Sequence, residues 1–107
     1  MNASQVAGLS LLNELRGDFE DVHTTLSKIL ANIVGAPEDP KFRRLKTTNA
    51  RIGKLLEARG ARQLLVGSGF VEETDALALP EGTDVAPVQA SLAGLAAQQK
   101  TRKAEEV

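Results

Sequence analysis

The chain has 107 residues, 42% of them hydrophobic and 25% charged, with no Cys, Trp or Tyr, three Phe and one His. This reads as one globular domain with an aliphatic core, and it excludes disulfide frameworks, thiolate zinc sites, cysteine nucleophiles, histidine metal clusters and stacked-ring RNA platforms. The formal charge of −1 hides a basic middle: residues 41–62 carry eight Lys and Arg side chains against Glu57 alone, a net +7, between flanks of −4 each. Such a segment attracts an acidic ligand if its side chains share a face, and otherwise is a solvated surface.

Val6, Leu9, Leu12 and Leu15 recur every three residues and predict a short amphipathic helix over 4–15, broken at Gly17. Asp18 can cap a second helix, in which Phe19, Val22, Leu26, Ile29, Leu30 and Ile33 follow the i, i+3, i+4, i+7 pattern until Gly35 and Pro37. Asp39-Pro40 reads as a cap followed by proline at the first helical position. The turn that follows points Phe42 and Leu45 the same way. Lys46-Thr47-Thr48 is at best a short strand. Asn49 can cap a third helix carrying Ile52, Leu55 and Leu56. Gly60 separates it from a fourth with Leu64 and Leu65 inward, and Gly67-Ser68-Gly69 ends that one.

Phe70–Glu72 and Leu77–Leu79 predict a β-hairpin closed by Pro80, for which 46–48 can supply a third strand. Asp84 can cap a last helix with Val85, Val88, Leu92 and Leu95 in register. Residues 98–107 have almost no apolar content and read as a frayed helix end, a flexible tail or a linker. The expected fold is α+β, mostly helical, with helices around a small three-stranded antiparallel sheet, forming one domain over 1–97.

Nothing in the sequence argues for an enzyme or a cofactor. His23 is the only histidine, and its helix is rich in core positions, so a half-buried structural role is expected rather than a catalytic base. Asp18, Glu20 and Asp21 suit a helix N-terminus, and Glu72, Glu73 and Asp75 crowd a hairpin turn. Gly67-Ser68-Gly69 ends a helix instead of following a strand, so it is no phosphate cradle. No apolar run approaches the roughly 20 residues that span a bilayer. The start lacks a basic segment followed by an apolar run, so a secretory signal is not expected. A soluble, monomeric intracellular protein is the expectation. Nucleic-acid binding through 41–62 is the alternative to peptide binding, and the missing aromatics and near-neutral charge count against it.

From Leu30 to Pro80 the chain resembles the PUB (PUG) domain, found in peptide N-glycanases and in UBA- and UBX-containing proteins. The residues that carry the resemblance are Ile29-Leu30-Ala31-Asn32-Ile33, Pro37-Glu38-Asp39-Pro40-Lys41-Phe42-Arg43-Arg44-Leu45-Lys46, Asn49-Ala50-Arg51-Ile52, Gly60-Ala61-Arg62-Gln63-Leu64-Leu65, Gly69-Phe70-Val71-Glu72-Glu73 and Leu77-Ala78-Leu79-Pro80. The resemblance implies helices around a three-stranded antiparallel sheet. It also implies a cytoplasmic, or additionally nuclear, adaptor that binds the C-terminal tail of valosin-containing protein, a hexameric AAA ATPase. That tail is acidic and ends in a Leu-Tyr-Gly type sequence.

Carried onto this sequence, the peptide-binding positions are Asn32, Phe42, Lys46 and Asn49. The two amides would hydrogen-bond the ligand backbone or its terminal carboxylate. Lys46 would attract acidic groups, and Phe42 would pack on the incoming ring. Phe42 stands where the family often has Tyr, so one hydroxyl is missing. Each position also has a plain structural role open to it: helix cap for Asn49, core for Phe42, helix-end polar group for Asn32, surface charge for Lys46.

Overall fold

The computed structural model describes residues 2–106, with side chains through Arg102. Five α-helices and three short strands are present among them: α1 (Ala3–Leu12), α2 (Phe19–Gly35), β1 (Arg44–Lys46), α3 (Ala50–Glu57), α4 (Ala61–Gly67), β2 (Val71–Glu72), β3 (Ala76–Ala78) and α5 (Ala86–Glu106). A 3₁₀ turn, Pro40–Arg43, leads into β1. The sheet is antiparallel in the order β1-β3-β2, with Leu45 opposite Leu77 and Val71 opposite Ala78. The fold is α+β, as the sequence predicts.

The second helix carries the core. Leu26, Leu30 and Ile33 are fully buried and meet Leu64, Leu65, Leu77, Val88 and Leu95. Each such side chain stabilises the fold by about 1.5–3 kcal/mol relative to an exposed one. The closest helix pairings are α1 with α4 and α2 with α5.

The first helix departs from its predicted stripe. Val6 is 56% exposed, and the buried face is Gln5, Gly8 and Leu12. The reason is the closeness of α1 to α4. A Cβ at Gly8 would lie 2.7 Å from the Leu64 backbone nitrogen, so only glycine lets the two backbones approach. Gly60 caps α4 with φ 96°, a left-handed conformation open to glycine at low cost. The helix ends at Leu12, so Leu15 lies in the following loop, partly buried against the core.

Gln5 is buried with all its groups satisfied. Its Nε2 donates to the Pro87 carbonyl (2.9 Å) and to Ser91 Oγ (2.8 Å), and its Oε1 accepts from the Asn2 amide (2.9 Å). Ser91 in turn bonds Ser68 at 2.6 Å. This polar network ties α1, α4 and α5 together.

The third strand sits two residues before its predicted place, at 44–46 rather than 46–48. Thr47 and Thr48 are needed for the turn that lets the Asn49 amide reach the Lys46 carbonyl (3.1 Å) and start α3. Helix α5 continues past residue 97 to Glu106, through the segment that the sequence reads as a frayed helix end, a flexible tail or a linker. Gln98 Nε2 donates to the Leu9 carbonyl at 2.7 Å, and Arg102 lies over the Phe19 ring at 3.9 Å while bonding the Asn13 and Leu15 carbonyls. Polar side chains make these contacts, which a search for apolar periodicity does not see. Val107 lies outside the described residues.

Candidate functional site

The 3₁₀ turn begins as the sequence predicts. Asp39 accepts from the Lys41 amide at 3.0 Å, and Pro40 has no N–H that needs an acceptor. The turn presents Phe42 half-buried, with one side against the core. Lys41 Nζ stands 5.3 Å from the centre of that ring. Phe42 is therefore both a core residue and a surface one.

Next along the chain comes Lys46, exposed at the end of β1 and without an ion-pair partner among the described residues. Asn49 follows as the cap of α3. Its Oδ1 accepts from the Arg51 amide (2.9 Å) and the Ile52 amide (3.3 Å). The cap occupies the oxygen and leaves the two Nδ2 hydrogens without a partner among the described residues. Asn49 can thus serve a ligand as a donor, not as an acceptor. Asn32 comes from a different element, the last turn of α2, and is exposed, its backbone carbonyl accepting from the Ala36 amide at 3.0 Å. Helix α2 packs on the 3₁₀ turn, which brings that end of the helix to the Phe42 segment. No hydrogen bond joins any two of the four side chains.

Two clefts stand out among the described residues, and none of the four residues lines either. One, of about 490 Å³, lies between the start of α2 and α3, with Asp18, Asp21, Arg51 and Lys54 on its walls. The other, of about 930 Å³, lies among the 3₁₀ turn, β3 and the loop after it, with Pro37, Arg43, Leu79, Pro80 and Val85 on its walls. Chain neighbours of the four residues do line them: Arg51 beside the Asn49 cap, Arg43 beside Phe42.

The basic segment divides in two. Arg44 pairs with Glu73 (2.6 Å) and Asp75 (3.4 Å), and Arg62 pairs with Glu72 (2.6 Å). Arg43 turns its guanidinium onto backbone carbonyls, at Pro80 (2.9 Å), Thr83 (3.3 Å), Leu79 (3.4 Å) and Pro37. Lys41, Lys46, Arg51, Lys54 and Arg59 remain without a carboxylate partner among the described residues. The sequence gives no warning of the Arg43 contacts, since its acceptors are carbonyls and most lie about 40 residues away.

His23 is fully buried rather than half-buried, stacked on Phe19 with ring centroids 4.1 Å apart. Its Nε2 donates to Gln98 Oε1 at 2.6 Å, and Nδ1 has no partner. Burial pushes its pKa below the usual imidazole value; the Gln98 bond opposes this and the Arg102 charge adds to it. No nucleophile hydrogen-bonds this ring, and no group of three metal-ligating side chains gathers among the described residues. No helix of the described chain is long and apolar enough to cross a membrane.

No curated protein matches the sequence. The family model of the PUB domain matches residues 16–93, which takes in α2, the 3₁₀ turn, the whole sheet, α3, α4 and the first part of α5. PUB domains are protein-interaction modules rather than catalysts. The match spans well over half of the sequence and includes Asn32, Phe42, Lys46 and Asn49, and the chain belongs to the PUB domain family.

Proposed function

We propose that this module binds the acidic C-terminal tail of the hexameric AAA ATPase valosin-containing protein, and links that ATPase to the ubiquitin–proteasome or deglycosylation machinery of the cytoplasm. Asn49 donates to the ligand's terminal carboxylate or backbone. Lys46 supplies the neutralising charge, Asn32 a further amide from α2, and Phe42 the apolar surface for the ligand's aromatic ring.

The observation that carries this reading is the state of the Asn49 cap. Its oxygen is engaged by Arg51 and Ile52, its two donors have no partner among the described residues, and the unpaired Lys46 lies three residues away. Held donors beside a cation suit a carboxylate. Two of the eight basic side chains, Arg44 and Arg62, are neutralised by hairpin carboxylates, which leaves a smaller charge for a phosphate backbone.

Affinity is expected on the order of micromolar, about −8 kcal/mol, because a short flexible tail must be ordered on binding. The test is calorimetric titration with a free-acid peptide of acidic residues ending in Leu-Tyr-Gly. Asn49→Asp keeps the cap acceptor, removes the donors and adds a like charge. Lys46→Glu reverses the cation. Both variants are expected to lose binding with melting temperatures close to the parent's. Unchanged binding in both would remove these residues from the site, and tight salt-sensitive binding to generic RNA or DNA would favour the nucleic-acid reading.

A further inference from the structure

The most heavily engaged cation of the basic segment is Arg43, and it touches no carboxylate. One guanidinium donates to four main-chain carbonyls: Nη2 to Pro80 and Thr83, Nε to Leu79, Nη1 to Pro37. The Arg43 carbonyl also accepts from the Leu79 amide at 2.7 Å. The side chain therefore fastens three stretches that have few other bonds to one another: the loop after α2, the loop after β3, and the junction of the 3₁₀ turn with β1. Prolines at 37 and 80 bring no amide donor of their own to these loops; Arg43 supplies donors there, sharing the Pro80 carbonyl with the Thr83 amide (3.1 Å). Arginine meets the need because its five N–H groups sit in a rigid planar fork; a lysine ammonium offers three donors from one point.

Phe42 is the residue before this knot, and Lys46 lies three residues after it on the strand the knot anchors. We propose that Arg43 is a positioning residue of the peptide face: it fixes the 3₁₀ turn against the two loops and so sets the placement of Phe42, without itself contacting the ligand. This rests on the peptide-binding reading above, and its test separates the two.

The variants are Arg43→Lys and Arg43→Met, titrated with the same free-acid peptide. Phe42 ring resonances are followed by NMR, with the Leu26 and Leu95 methyl resonances as the distant control. Arg43→Lys is expected to weaken binding about tenfold, and Arg43→Met more, because the face is no longer held ready for the ligand. The Phe42 ring resonances should move in both while the two methyl resonances stay in place. Binding within twofold of the parent overturns the proposal, as does weakened binding with an unmoved Phe42 ring. If both variants unfold, Arg43 holds the fold and not the face, and the proposal falls. If the parent chain itself ignores the peptide, the proposed function fails; the Phe42 resonances of the free protein then decide alone whether Arg43 places that ring.

Discussion

The junction of α1, α4 and α5 and the surface around Asn49 treat polar groups in opposite ways. At the junction every described hydrogen-bonding atom of Gln5, Ser68 and Ser91 has a partner inside the protein, and glycine at position 8 closes the gap between helices. Around Asn49 the protein satisfies only what the helix start requires. It leaves the Asn49 donors, the Lys46 ammonium and the Asn32 amide without internal partners among the described residues. A satisfied polar group contributes to stability and has nothing left to offer a ligand. The difference teaches where to look for binding in a chain with no catalytic constellation. Arg43 stands between the two kinds: four of its five donors are spent internally, yet it adjoins the open face.

The contrast predicts a separation of effects. Substitutions at the junction should change stability and spare binding by the folded fraction, and substitutions around Asn49 should do the reverse. Gly8→Ala is expected to have the largest effect. Its Cβ would meet the Leu64 nitrogen at 2.7 Å and the Gly60 carbonyl at 2.9 Å, so the helices must move apart at a cost of about 3 kcal/mol. A large fall in melting temperature checks this, and an unchanged melting temperature would show that α1 does not lie so close to α4. Gln5→Ala comes next, at about 2 kcal/mol in denaturant unfolding, because it removes the buried bonds to the Ser91 hydroxyl and the Pro87 carbonyl and takes the acceptor from the Asn2 amide.

Asn49→Ala removes the cap and should cost about 1 kcal/mol as well as binding, whereas Asn49→Asp should cost binding alone. The pair separates the two duties of one side chain. Arg62→Ala is the smallest, below about 1 kcal/mol, since its bridge to Glu72 is half exposed.

Acid should act on the closed side of the molecule. The pKa of His23 is lowered by burial, so the unfolded chain takes up a proton more readily than the folded one. Stability is therefore full above the ordinary imidazole value of 6.5 and declines as pH falls below it toward the folded value. A proton on Nδ1 would also find no acceptor there. His23→Gln should flatten this part of the stability profile, and a profile equally steep in the variant would place the titrating group elsewhere.

The sequence made some of this legible and hid the rest for physical reasons. The α2 stripe from Phe19 to Ile33 is long and strictly periodic, and it is buried as predicted, with Ile29 partly so. Local hydrogen-bond chemistry was also readable: Asp39 before Pro40 and Asn49 before Ala50 both cap as their side chains suggest. The apolar stripe of α1 misled because glycine contact, not hydrophobicity, chose the face that packs. Gln5 and Gln98 look like surface residues until their partners, more than 70 positions away, are known. Distance along the chain, here up to 40 residues, also hides the partners of Arg43, whose local setting in a basic run suggests a ligand contact. Asn32, Phe42, Lys46 and Asn49 follow from the family resemblance alone; what the geometry adds is that the Asn49 oxygen is already in use.

The most direct test compares one peptide in two chemical states. The wild-type chain is titrated with the acidic tail ending in Leu-Tyr-Gly, once as the free acid and once amidated. The account predicts micromolar binding of the free acid and a loss of about tenfold or more on amidation, because unpartnered amide donors and an unpaired ammonium serve a carboxylate better than a neutral amide. Equal affinity for the two forms would contradict it.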